Sequence, residues 1–68
     1  MSDLMQYTIR ELADRINENG NVTKPEEKQA NLVFVQGLHA NLKEGGVWGF
    51  PAACEVYKKV GAGWERLL

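Results

Sequence analysis

One cysteine, two prolines, one serine and no long apolar run: the 68-residue chain has little of what most recognisable chemistry is built from. A lone Cys54 cannot close an intramolecular disulfide, which excludes a small secreted disulfide scaffold. The longest aliphatic and aromatic run, Leu32-Val33-Phe34-Val35, falls far short of the roughly 20 apolar residues of a membrane span. Met1-Ser2-Asp3 has no basic start and no apolar stretch close behind it, so no signal peptide is expected. Charge of one sign is also missing, since eight Lys and Arg meet nine Asp and Glu for a net charge of -1. What is present, 44% hydrophobic and 25% charged residues, has ordinary globular composition. These figures predict one small soluble domain spanning 1–68, in a reducing, cytoplasmic setting.

Shortness is itself informative. A chain near 60 residues buries only about 60% of the surface that its unfolded form exposes. Nearly every large apolar side chain is needed for the core, and association is a common way to make up the deficit.

Two helices are predicted. Thr8-Ile9-Arg10-Glu11 has the form of a capping box, in which the threonine oxygen and the glutamate each satisfy a free amide. Ile9, Leu12, Ala13 and Ile16 then fall at i, i+3, i+4 and i+7, with Arg10, Asp14 and Arg15 on the other side. Met5 extends that row backwards, so a start near Asp3 is the alternative. Gly20 closes the element as a left-handed cap, giving a helix over about 8–19. Thr23-Lys24-Pro25-Glu26 is a second capping box, with proline in the tolerant first turn. A helix over about 24–44 follows, with Ala30, Val33, Phe34 and Leu38 as its buried row and Val35 and Leu42 beside it. Gly37 is unfavourable in a helix and marks a close approach to another backbone.

Beyond Gly46 the residues favour strands and turns. Strands are predicted at about 47–50, 54–60 and 64–68, the last two flanking Gly61-Ala62-Gly63. Charge pairing selects the register. A three-residue loop sets Lys58 against Arg66, whereas a two-residue Gly61-Ala62 turn sets Lys58 against Glu65 and Tyr57 against Arg66. The expected fold class is α+β, two helices followed by a two- or three-stranded antiparallel sheet ending in a hairpin.

Candidate chemistry is sparse. One histidine and one cysteine cannot supply the four ligands of a structural zinc site. His39 projects from the apolar row of the second helix and reads as a solvated imidazole. Cys54, beside Glu55, reads as a small buried strand residue rather than an activated thiol. With Ser2 the only serine, no Ser-His-Asp set can be assembled. Glu26-Glu27 match a helix dipole, and neither glycine cluster has the spacing of a phosphate loop. No enzyme, metal, cofactor or small-molecule cofactor is expected.

Two binding readings remain. Net charge runs from -2 over residues 1–23, through 0 over 24–44, to +1 over 45–68. Helices followed by a hairpin with Lys58, Lys59 and Arg66 resemble the rear half of a winged helix-turn-helix, although a DNA-binding footprint is normally strongly basic. The stronger feature is that four of the six aromatic residues, Trp48, Phe50, Tyr57 and Trp64, crowd into the last third. Two helices cannot cover both faces of a sheet, so part of this cluster is expected on an open face rimmed by Lys58, Lys59, Glu65 and Arg66. The expected function is therefore a non-catalytic adaptor, inhibitor or regulator, of the kind phages and mobile elements encode. It would bind a protein partner or itself through Trp48, Phe50, Tyr57, Lys58, Lys59, Trp64 and Arg66.

Overall fold

A computed structural model describes residues 5–68; Ser2 and the alternative helix start at Asp3 lie outside them. In chain order the elements are β1 (Gln6–Thr8), α1 (Ile9–Asn19), α2 (Pro25–Asn41), β2 (Val47–Phe50), a 3-10 turn (Pro51–Ala53), β3 (Glu55–Val60) and β4 (Gly63–Arg66). No helix among these residues is long and apolar enough to cross a membrane.

The Thr8 capping box forms as its sequence dictates. Glu11 N–H donates to Thr8 Oγ1 at 2.9 Å, and Thr8 N–H donates to Glu11 Oε1 at 2.8 Å. Leu12 and Ala13 are buried along the expected face. The end of α1 differs, because Gly20 has φ -91° and the left-handed position is taken by Asn21 at φ 53°. Asparagine tolerates that conformation better than other residues with a β-carbon.

The second capping box does not form. Lys24, extended at φ -77° and ψ 129°, is the N-cap of α2 and makes no side-chain cap. Pro25 accounts for the shift, since the residue before a proline is sterically driven out of the helical region. The helix then starts at Pro25 and stops at Asn41, three residues before the predicted end at Lys43-Glu44. Leu42 is extended, and Gly45 turns the chain into β2 at φ 83°.

The sheet is four-stranded and antiparallel, in the order β1-β4-β3-β2, not two- or three-stranded. The extra strand is β1, whose three residues are too few for a period to show in the sequence. Its docking place is set by Gly63, where a β-carbon would sit 2.5 Å from the carbonyl oxygen of Tyr7. Gly63→Ala should therefore push β1 off β4 and cost about 2 kcal/mol, read as a lowered denaturation midpoint. An unchanged midpoint would show that β1 contributes nothing to stability.

The β3–β4 register is the one the charges select: Lys58 opposes Glu65, Tyr57 opposes Arg66, and Val60 opposes Gly63 across a two-residue loop. Gly61 has φ 59° and Ala62 is not left-handed, the pattern of a type II′ hairpin turn.

Both helices lie on one face of the sheet. Alternation puts Tyr7, Trp48, Phe50, Glu55, Tyr57, Lys59, Trp64 and Arg66 on that face, and Gln6, Val47, Gly49, Val56, Lys58, Val60 and Glu65 on the other. The core is Leu12, Ala13, Val35, Phe50, Tyr57 and Trp64.

Candidate functional site

The aromatic cluster is real, but it faces inward. Trp64 and Tyr57 are 0% exposed and Phe50 is 9% exposed, while Trp48 is half-buried at the β2 side. Trp48 stacks on Phe50 at 5.5 Å, and Tyr7 meets Tyr57 edge-on at 5.3 Å. Phe50, Tyr57 and Trp64 are thus core residues and cannot form the open contact face expected of them. The open face of the sheet carries valines and the Lys58–Glu65 ion pair instead.

Lys59 and Arg66 also turn toward the helices. Lys59 Nζ donates to the carbonyl oxygens of His39 at 2.7 Å and Leu42 at 2.6 Å, closing the negative end of α2. Arg66 lies 3.4 Å from Glu55 and donates to the carbonyl oxygen of Leu68. Of the cations that a winged-helix reading needs, only Lys58 stands on the open side, and it is paired with Glu65 at 3.5 Å.

His39 is not a solvated imidazole. It is half-buried, packs edge-on against Trp64 at 5.4 Å, and has Nε2 3.2 Å from the carbonyl oxygen of Gly63. Cys54 is the reverse case, an exposed residue in the left-handed region at φ 56° where a buried strand position was expected. It follows the turn begun by Pro51, whose carbonyl accepts from Cys54 N–H. Cys54 and His39 sit near opposite ends of β3, about 16 Å of strand apart at roughly 3.3 Å per residue. Among the described residues, no three His, Cys, Asp or Glu side chains are grouped to hold a metal.

One polar cluster escaped the sequence reading. The Glu55 carboxylate is buried and receives Arg15 Nε at 3.2 Å, the Tyr57 hydroxyl at 2.6 Å, and the Arg66 guanidinium. The Arg15 hydrogen bond is the main reason that the Glu55 pKa lies below the ordinary carboxylate range, against the opposing effect of burial. Burial, then the Glu55 hydrogen bond, raises the Tyr57 hydroxyl. The cluster ties α1 to β3 and β4 beneath the helices. Its groups spend their hydrogen bonds on one another rather than pointing them at a ligand.

Two open depressions of about 480 Å³ and 310 Å³ run along the α1–α2 seam and share Asp14, Asn17 and Lys28. Buried Asn17 accepts there from Asn31 Nδ2 at 2.6 Å, joining the two helices. Both depressions are wide and lined mostly by polar residues, unlike the enclosed apolar pockets that hold small ligands.

Exposed large apolar residues lie elsewhere, on α2 and at Met5, Val47, Leu67 and Leu68. Val33 is 55% exposed and Phe34 50%, and Ala30 and Gly37 lie beside them in solvent, so Ala30, Val33 and Phe34 of the row expected to be buried face outward while Leu38 packs against the core. Val35 is the residue turned fully inward, flanked by Leu32, Leu38 and Leu42. Phe34 leans on Trp48, with ring centres 6.0 Å apart, and joins the α2 row to the β2 edge; Val47, 54% exposed, lies on the opposite face of the sheet. No Asp, Glu, Lys or Arg occurs in residues 29–42 or 45–54, the two stretches that form this surface. Comparison with known proteins finds no matching family model, curated protein or solved structure.

Proposed function

We propose that the chain is a non-catalytic binding protein that works through protein–protein contacts, using the outer row of α2 and the neighbouring β2 edge. The supporting observation is Phe34, an aromatic side chain half exposed beside Val33 on a surface without charged residues. Isolated exposed apolar residues need no explanation, but a contiguous row does, because water is displaced from it at a net gain when a partner covers it. The expected role as adaptor, inhibitor or regulator is kept; its surface moves from the sheet face to α2 and β2. Of the residues expected to bind, only Trp48 borders the new surface.

The test is capture of binding proteins from the native host by the tagged chain and by a Phe34→Glu variant of the same folded content. A buried, unpaired carboxylate should reduce recovery of a specific partner roughly tenfold or more. Equal recovery by both forms places the contact on another surface and sinks the reading.

A further inference from the structure

We infer that the partner of this surface is a second copy of the chain, joined β2 to β2 in antiparallel fashion across a two-fold axis with the outer rows of α2 in contact. The inference rests on the reading of that surface as a protein contact and names what fills it.

The backbone states which hydrogen bonds are free. Lys59 N–H donates to the Gly46 carbonyl and Gly45 N–H donates to the Lys59 carbonyl. Bonds alternate along an antiparallel pair, so with Trp48 opposite Tyr57 and Phe50 opposite Glu55, Trp48 and Phe50 bond inward. Val47 and Gly49 therefore turn their N–H and C=O groups outward. The opposite edge offers less: Met5 accepts from Arg66 N–H, and Thr8 N–H is consumed by the capping box, which leaves Gln6. Edges are normally defended by charge, proline or cover, and β2 (Val-Trp-Gly-Phe) has no charge and no proline within it.

Those free groups select one self-pairing. Val47 opposite Gly49 of a second copy, and Gly49 opposite its Val47, satisfies every outward donor and acceptor and puts Trp48 opposite Trp48 on the axis. Pairing Val47 with Pro51 of the other copy would lose a donor, because proline has none.

Charge argues for a copy rather than a foreign protein. A two-fold axis sets each residue near it against its own duplicate, so any charge there meets its like. Residues 29–42 and 45–54 carry no Asp, Glu, Lys or Arg, so no like charges would meet at the axis. Gly37 is the second sign. A β-carbon there would meet nothing within 4 Å, so the monomer has no steric need for a glycine that weakens its helix. Beside Val33 and Phe34, it lets another helix backbone come close. A stable interface takes about 800 Å² from each partner, more than four edge residues supply, so the adjoining α2 row has to take part.

Sedimentation equilibrium of the full chain, with amide exchange read residue by residue, tests this. The expected mass is twice 7.6 kDa, and the Val47 and Gly49 amides should gain protection as concentration rises. Phe34→Glu should weaken the dimer at least tenfold. Gly37→Leu should also weaken it by blocking the close approach, while raising the thermal midpoint of the monomer through better helix propensity. That pairing separates lost association from lost folding. A 7.6 kDa species at every concentration overturns the inference, as does a dimer whose Val47 and Gly49 amides stay unprotected. In either case, loss of a captured host protein in Phe34→Glu would still support the broader reading.

Discussion

Trp64→Ala is expected to leave the chain largely unfolded at room temperature. Trp64 is the largest fully buried side chain, at 0% exposure, and it packs against His39 from the last turn of α2. Deleting a buried tryptophan side chain costs about 3–5 kcal/mol, through lost burial and the cavity left behind. At roughly 0.05–0.15 kcal/mol per residue, a chain of this size has only about 3–10 kcal/mol in total. The indole Nε1 is buried without a hydrogen-bond partner, so Trp64→Phe supplies a control. It keeps a ring in place and removes the unsatisfied donor, and should cost well under half as much as alanine. Circular dichroism and a denaturant titration, with Trp48 as the remaining fluorophore, distinguish the two. A cooperative transition at the wild-type midpoint in Trp64→Ala would show that the ring is no part of the core.

Local signals in the sequence translate well where one residue pair decides the outcome. Thr8 and Glu11 satisfy each other's amides whatever the rest of the chain does, and Lys58 opposite Glu65 settles a hairpin register within ten residues. The phase of α2 is different. Leu32-Val33-Phe34-Val35 puts an apolar group on every side of the helix, so periodicity cannot say which side turns inward. Contacts from remote strands decide it, with Lys59 holding the His39 and Leu42 carbonyls and Trp64 holding the His39 ring. β1 was invisible for a similar reason, its partner lying more than fifty residues away at Glu65 and Trp64.

The misplaced aromatic face is more instructive, because the signal was present. Once Tyr57 opposes Arg66 and Lys59 opposes Trp64, alternation puts all four on one side and Lys58 and Glu65 on the other. A sheet side holding two large rings is the side that helices cover. Val33 and Phe34 then stay exposed, because the apolar residues of α2 outnumber the positions on one face.

Arg15→Met should destabilise the fold, read as a lowered denaturation midpoint, because it strips the principal partner from a buried carboxylate. The Glu55 side chain is 1% exposed, whereas that of Arg15 is 39% exposed. The cost therefore falls on the stranded anion and not on lost contacts of the arginine stem. Tyr57 and Arg66 remain as partners, and Arg66 stands farther off at 3.4 Å. Adding Glu55→Gln removes the stranded charge and should recover part of the loss, so the double variant is expected to be more stable than Arg15→Met alone. The pH dependence follows in sign. Arg15 holds the folded pKa of Glu55 below that of an ordinary carboxylate, so the unfolded chain binds the proton first. The stability from this cluster is fully present above the unfolded value and is lost as pH falls through the lower folded one. Acid titration of the wild type should show that loss below about pH 4.5, and Arg15→Met should show less of it. In that variant burial acts with weaker opposition and raises the carboxyl. Equal acid sensitivity in both proteins would mean that Arg15 does not set the Glu55 titration, and that the link from α1 to β3 is packing alone.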